Sequence, residues 1–393
     1  MHLEALEVAD FRSYARAQVE LGPGVSVFVG ANAQGKTNLL EAVHYLAVGS
    51  SHRVAADAPL IRAGCDAAVV RARARQAGDG RVLTVEVELR AAGRNRARLN
   101  GQPRARVRDV LGAVRSVLFA PEDLMLVRGD PALRRRFLDD LLGQRRPAYL
   151  AARQEYERVL RQRNALLKQL RAPARHGAPS GAEDTLATWT EQLVHAGATL
   201  LAARIAVVHA LAGPVAEAYR DLVVGAPGGK EQAAVSLAYA LSTGRTVAAQ
   251  PGAGMPDPAQ LSAELAAGLA AVAHDERDRG LTLAGPHRDD LVLGLGDLPA
   301  KGYASHGESW SLALALRLGS RDVLHDVGEE PVVLLDDVFA ELDDLRRARL
   351  ADRCAAFEQV LVTAAVDADV SLAGPRYAVE SGQVVPAGAR EAS

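Results

Sequence analysis

The sequence predicts an α/β protein: mixed sheets with helices in two lobes, interrupted by a mostly helical segment. Three observations predict it. A buried-strand pattern runs into a Gly-rich loop and then into helical spacing near the start of the chain. A second buried strand, about 300 residues later, ends in two adjacent aspartates. Between them, from Pro131 to about Gly280, the apolar residues follow helical spacing, broken twice by Pro/Gly-rich stretches. At 393 residues the chain exceeds one ordinary core.

The elements follow in order. Leu3, Ala5 and Glu7 alternate with Glu4, Leu6 and Val8, and Gln18 to Leu21 alternates again, so two strands open the chain. Gly22-Pro-Gly24 is a turn, and Val25 to Val29 is an apolar, β-branched strand. Leu39, Leu40, Val43, Leu46 and Ala47 place a helix over residues 38–48. Residues 68–99 read as hairpins, with Asn100-Gly101 a tight-turn signal. Helical patterns cover residues 131–170, 185–220 and 259–279. Residues 171–184 and 251–258 are the Pro/Gly-rich breaks, and the tail after Ala387 reads as disordered. Leu291 to Leu295, Pro331 to Leu335 and Val360 to Thr363 are strands, and residues 308–326 form a helix. The expected division is therefore 1–130 with 281–393 as one part and 131–280 as the other.

Lys+Arg is 46 against Asp+Glu of 48, which excludes a uniformly basic nucleic-acid binder but leaves room for a local basic surface. Only four of the cations are lysine: Lys36, Lys168, Lys230 and Lys301. GC-rich codon usage accounts for most of that bias, so a retained lysine marks a position to inspect for a point charge. No uninterrupted apolar run is long enough to cross a bilayer, and residues 1–10 lack the basic start of a signal peptide. Cys65 and Cys354 make neither a metal spacing nor a disulfide framework. These features point to a cytoplasmic protein without a membrane partner.

The sharpest chemical signal is Gly30, Ala31, Asn32, Ala33, Gln34, Gly35, Lys36 and Thr37, which matches G-x-x-x-x-G-K-[ST] at each fixed position. Glycines let the backbone curl so that successive N–H groups face phosphate oxygens. The following helix adds its positive end. Lys36 is placed to reach the β- and γ-phosphates of ATP, and the Thr37 hydroxyl to bind Mg²⁺. The strand ending at Asp336-Asp337 supplies the complementary half. Asp336 would hold Mg²⁺ directly or through water, and Asp337 would orient and activate the attacking water. Ser305-His-Gly307-Glu308 precedes a helix. By itself it is compatible with a simple N-cap.

A phosphate loop, a Ser-x-Gly-Glu about thirty residues before an apolar strand ending in Asp-Asp, and a following Leu342-Asp343 together resemble the ATPase head of the ABC/SMC class. The resemblance narrows to the RecF family of bacterial DNA replication and repair proteins. It rests on Phe11-Arg-Ser-Tyr14, Gly35 to Ala42, Pro121-Glu-Asp-Leu124, Arg134 to Asp139, Gln162 to Lys168, Gly285 to Leu291 and Leu334 to Asp343, in order along nearly the whole chain.

The resemblance implies an ABC/SMC-type P-loop ATPase head of two lobes, residues 1–130 and 281–393, with a protruding helical arm, residues 131–280. It implies nucleotide contacts from residues 30–37, Asn38, Arg12, Gly307 and Glu308, and a Ser305 loop that completes the γ-phosphate site of a second copy. It also implies ATP-driven homodimerisation at gapped or single-strand/double-strand junction DNA, weak ATP hydrolysis as a switch, and loading of RecA with RecO and RecR. Replication restart and the SOS response belong to the same implied role.

The family often has Arg where Trp310 stands, which puts any role of that Arg in doubt here. Thr363 occupies the strand end where transporters of this class carry a switch histidine. Arg53 is expected to assist Arg12, and Lys168 to end a helix near DNA. His287 and Arg288 fit a structural or interface loop near the nucleotide site. Arg90, Arg94, Arg96, Arg98, Arg104, Arg106 and Arg108 form a basic stripe without aromatics, suited to phosphate rather than base contacts, and Arg134, Arg135 and Arg136 a second cluster. Competing readings are an SMC-like chromosome organiser, disfavoured by the short arm, and a small-molecule kinase or transporter ATPase, disfavoured by the Ser305 loop and by Thr363.

Overall fold

A computed structural model describes residues 1–171, 181–224, 234–328 and 330–387. Lys230, part of the 171–184 break and the tail expected to be disordered lie outside the described residues. The chain divides into two compact units: Met1–Leu124 with Glu217–Gln232 and Ser305–Ser393, and Met125–Ala216 with Ala233–Ala304. The expected boundary at 281 falls inside the second unit, which continues to Ala304.

The first unit holds two six-stranded sheets. One is antiparallel, in the order Tyr14–Glu20, His2–Phe11, Ala67–Arg75, Val82–Arg90, Arg96–Leu99 and Gln102–Arg104. Asn100 (φ 52°) and Gly101 (φ 75°) make the expected tight turn of its last hairpin. The other sheet runs Gln383–Pro386, Arg376–Glu380, Gly24–Val29, Gln359–Ala364, Val332–Asp336 and Ser116–Phe119. Five of these strands are parallel, and only Gln383–Pro386 is antiparallel. The central strands carry continuous apolar runs because both faces are covered.

Helix Lys36–Val48 is buried nearly all round, so it works as an internal element rather than an amphipathic surface one. Leu39, Leu40, Val43 and Leu46 share one core with Val70, Val85 and Val87 of the antiparallel sheet and Leu334 and Leu361 of the parallel one. The parallel register sets Asp336 opposite Thr363 and Thr363 opposite Phe28. The carboxyl ends of three strands therefore line up at the loop that follows Val29. In open α/β sheets this edge is where ligands bind.

The second unit contains helices Pro131–Arg145, Ala148–Arg171, Pro258–Ala271 and Ala273–Arg279, with most of helix Ala182–Val223. The 259–279 pattern is thus two helices, broken at Val272 (φ −104°). A four-stranded antiparallel sheet was not foreseen: Thr246–Ala248, Val235–Ala240, Asp290–Leu295 and Leu298–Pro299. Its first two strands are too short and Ala-rich to stand out from a helical pattern. Helix Ala182–Val223, although charged residues such as Arg204 interrupt its apolar run, is long and apolar enough to cross a bilayer by length and composition alone. It has 42 residues and an 18-residue window of mean hydropathy 1.6, but 61% of that window is buried inside the protein, as in a core helix.

Candidate nucleotide site

The loop between strand Gly24–Val29 and helix Lys36–Val48 is shaped by backbone demands. At Gly30 a Cβ would sit 2.2 Å from the Val379 carbonyl oxygen, so no side chain fits. Gly35 adopts φ 108°, and Ala33 stands at φ 66° despite its side chain. Such left-handed residues turn consecutive N–H groups to one side and form an anion-binding concavity. Ala33 accepts a cost of about 1 kcal/mol for that shape. The helix then begins at Lys36 with no side-chain cap and no acidic residue in its first turn, which leaves its N-terminal N–H groups and dipole available to an anion. Tyr14 Oη donates to the Gly35 carbonyl at 3.0 Å, and the Ser381 N–H to Gln34 Oε1 at 2.7 Å, so both flanks of the loop are tied down. Ala31, Asn32 and Ala33 form its exposed crest.

Lys36 is almost fully buried; its Nζ donates to Gly30 O (2.8 Å) and Ala31 O (3.2 Å) and lies 3.9 Å from Asp337 Oδ2. Thr37 Oγ1 donates to Asp336 Oδ1 at 2.9 Å. Burial raises the Asp336 carboxyl to about 6, against the lowering effect of its bonds from Thr363 and Thr37. Asp337 is a left-handed residue (φ 51°, ψ 22°) and is more exposed. Thus two residues from the start of the chain and two from near its end form one cluster. Among the described residues no group of three or more His, Cys, Asp or Glu could hold a metal. A buried carboxylate beside a hydroxyl nevertheless suits Mg²⁺, which uses one or two protein oxygens with phosphates and waters.

Arg12 does not extend freely. Its guanidinium grips Glu41 with two bonds, at 2.8 and 2.7 Å, and donates to the Pro59 carbonyl at 3.0 Å. Arg53 bonds Asn38 Oδ1 (3.1 Å) and lies 3.7 Å from the same Glu41, while Asn38 Nδ2 donates to Ser13 Oγ at 2.9 Å. Glu41 is fully buried, yet Arg12, Ser51 and His52 hold its carboxyl below the usual range against the effect of burial. Sequence reasoning passed over Glu41. The signal was a lone carboxylate inside the apolar run Leu39-Leu40-Glu41-Ala42.

Ser305 is the N-cap of helix His306–His325. It forms a reciprocal capping box: Glu308 N–H donates to Ser305 Oγ (3.3 Å) and Ser305 N–H to Glu308 Oε2 (2.8 Å). Among the described residues the Ser305 hydroxyl bonds only within its own turn. Gly307 lies against the Arg346 guanidinium, which is also bonded to Ser311 Oγ at 2.8 Å and to Asp343. Trp310, in the place of the family's Arg, is buried with an unpartnered Nε1.

The RecF/RecN/SMC N terminal domain family matches residues 2–383. A relative called DNA replication and repair protein RecF, from Streptomyces avermitilis, is 54% identical over 98% of this chain and 99% of its own length. The chain belongs to the RecF family. Among solved structures, one of the recombination mediator protein RecF-ATPrS in the RecFOR pathway superposes with a TM-score of 0.85 at 26% identity, over 98% of both chains. A Smc head bound to the C-winged helix domain of ScpA covers 100% of both chains at TM-score 0.53 and 17% identity, which is a likeness of fold alone. The RecF/SMC ATPase fold expected from the motifs is therefore present, and membership places the chain among the DNA replication and repair proteins of recombinational repair.

The basic clusters are another matter. Arg71, Arg73, Arg75, Arg96 and Arg98 pair across the antiparallel sheet with Glu86, Glu4 and Glu88, so this face is a charge ladder rather than a bare cationic stripe. Arg94, Arg104 and Arg106 are exposed without a carboxylate partner among the described residues. Arg134 is buried and paired with Asp290 at 2.7 Å, Arg135 bonds the Asp289 carbonyl, and Arg136 lies 3.5 Å from Asp140. That cluster serves the second unit's interior. Arg163 and Asn164, in the helix ending near exposed Lys168, likewise turn inward, to Glu276 and Thr282.

Proposed function

We propose that the chain is an ATP-dependent DNA-binding protein of recombinational repair, in which ATP with Mg²⁺ draws two copies head to head on gapped or junction DNA. The observation that carries the reading is the Lys36–Thr37–Asp336–Asp337 cluster, assembled from both ends of the chain at the carboxyl edge of one parallel sheet. Residues 30–38 would cradle the phosphates, with Lys36 exchanging its carbonyl partners for phosphate oxygens. Thr37 and Asp336 would hold Mg²⁺, which supplies charge neutralisation on the β- and γ-oxygens. Asp337, with Oδ2 3.9 Å from Lys36 Nζ, would position and deprotonate the attacking water. Arg12 and Arg53, anchored on Glu41, would stand beside the loop as further cations. Gly307, Glu308 and the exposed Ser305 hydroxyl would meet the γ-phosphate held by the partner copy.

The second unit, residues 131–280 in its sequence-based bounds, would act as the arm of this ATPase head. Arg94, Arg104 and Arg106 are the exposed cations best suited to DNA phosphates. RecR and RecO are the expected protein partners, RecA loading the outcome, and the cytoplasm the place of action. Hydrolysis is slow and serves as the release step.

Asp337→Asn should retain ATP and accumulate as a dimer visible by light scattering; a monomer with bound ATP contradicts the water-positioning role. Ser305→Arg should bind ATP normally and stay monomeric; a normal ATP-dependent dimer would remove the Ser305 contact.

A further inference from the structure

Strand Gln359–Ala364 runs between the strand that leads into the phosphate loop and the strand that ends in Asp336. It is apolar at Val360, Leu361 and Val362 and then places a hydroxyl, Thr363, directly opposite Asp336. Thr363 is 1% exposed. A buried hydroxyl in such a strand requires partners. Thr363 Oγ1 donates to Asp336 Oδ1 at 2.7 Å and accepts the Asp337 N–H at 3.0 Å. A second acceptor, the Leu335 carbonyl, lies farther away at 3.5 Å, and one hydroxyl carries one proton.

We propose that Thr363 is a positioning residue of the nucleotide site, using its one hydroxyl to set both adjacent aspartates at once; this rests on the ATP-site reading above. The first effect is on Asp336. The Thr37 and Thr363 hydroxyls both bond Oδ1, which restrains the carboxylate and would leave Oδ2 for Mg²⁺. The second effect is on Asp337. Its backbone sits in the left-handed region, which a non-glycine residue holds only against a cost. The bond from its N–H to Thr363 holds that turn, and the turn brings its carboxylate to Lys36. Thr363 is thus more than the absence of a switch histidine.

The test compares Thr363→Val, nearly the same shape without the hydroxyl, with Thr363→Ser, which keeps the hydroxyl, in the full-length chain. Two quantities are read: steady-state ATP hydrolysis, and the Mg²⁺ concentration that half-saturates binding of a fluorescent ATP analogue. Thr363→Val should lower kcat and raise that Mg²⁺ midpoint, each by about 10- to 100-fold, with KM for ATP changed far less. Thr363→Ser should stay within about threefold of wild type in both. If Val matches wild type, or if Ser fails as badly as Val, the hydroxyl is not the operative group and the inference falls. Should Thr363→Val not fold, Thr363→Ala against Thr363→Ser replaces it, and equal behaviour of those two overturns the inference. Lys36→Ala separates the two levels. If it hydrolyses ATP normally the site itself is misassigned; if it is inactive while Thr363→Val is normal, only the Thr363 assignment is lost.

Discussion

Two of the charge clusters among the described residues are built on opposite plans. In the second unit Arg204, Asp139, Tyr149, Tyr239 and Asp289 form a saturated network. Arg204 holds Asp139 with two bonds (2.8 and 3.0 Å) and donates to the Pro286 carbonyl (2.6 Å) and to Tyr239 Oη (3.2 Å). Tyr239 donates to Asp289 (3.1 Å), which also accepts the Ser242 N–H, and Tyr149 donates to Asp139. In the candidate nucleotide site of the first unit the count is unbalanced. Lys36 rests on two carbonyls with its nearest carboxylate oxygen at 3.9 Å, and both hydroxyls crowd one oxygen of Asp336. A saturated cluster holds a fold together. A looser one, supported by left-handed turns at Ala33 and Asp337, suits the ligand site proposed above.

The comparison can be broken most directly by removing one member from each cluster. Asp139→Ala leaves Arg204 buried and unpaired and should cost about 3–5 kcal/mol of stability in denaturant unfolding. Lys36→Ala should cost far less stability, yet abolish ATP binding. Equal destabilisation by the two would erase the distinction.

The next effect is sensitive to pH. Burial pushes His287 down to about 4. Its Nε2 faces the Thr282 carbonyl (3.2 Å) and must donate, so Nδ1 accepts from Tyr156 Oη (2.7 Å) and the ring is neutral. The unfolded chain takes up that proton first. The contribution is therefore present above pH 6.5 and lost as pH falls toward 4, by at most about 3 kcal/mol. His287→Gln should show a smaller loss over that range; parallel curves for the two proteins would contradict the assignment.

The smallest effect belongs to the charge ladder. Arg73 is nearly half exposed while it meets Glu4 and Glu20, so Arg73→Ala should change stability by less than about 1 kcal/mol, and less still at high salt. A larger loss in thermal unfolding would mean that the ladder is a structural brace.

The parts of this molecule legible from sequence were those fixed by local chemistry. The phosphate loop, its strand and its helix could be read because Gly30, Gly35, Lys36 and Thr37 each answer a short-range demand. Asp336 and Asp337 stood out only beside the phosphate loop, because an apolar strand ending in Asp-Asp is a weak signal alone. What could not be read depends on which residues meet after folding. Arg134 looks like a DNA contact until Asp290 is found beside it, and Arg12 like a phosphate ligand until Glu41 takes its Nε and Nη2 and the Pro59 carbonyl its Nη1. Thr363 carries no signal of its own, because its role exists only through the register that places it opposite Asp336. Strand Val235–Ala240 was hidden for the same reason: its partner Asp290–Leu295 lies far along the chain, and its other partner, Thr246–Ala248, is only three residues long.

The central claim is that ATP completes an unsaturated site and thereby joins two copies on DNA. Sedimentation velocity of the full-length chain, with ATP and Mg²⁺, with and without gapped duplex DNA, tests it most directly. The expected result is a monomer without nucleotide, a dimer with ATP, and a heavier complex when gapped DNA is added, with Ser305→Arg remaining monomeric throughout. A monomer that ignores both ATP and DNA would contradict the account.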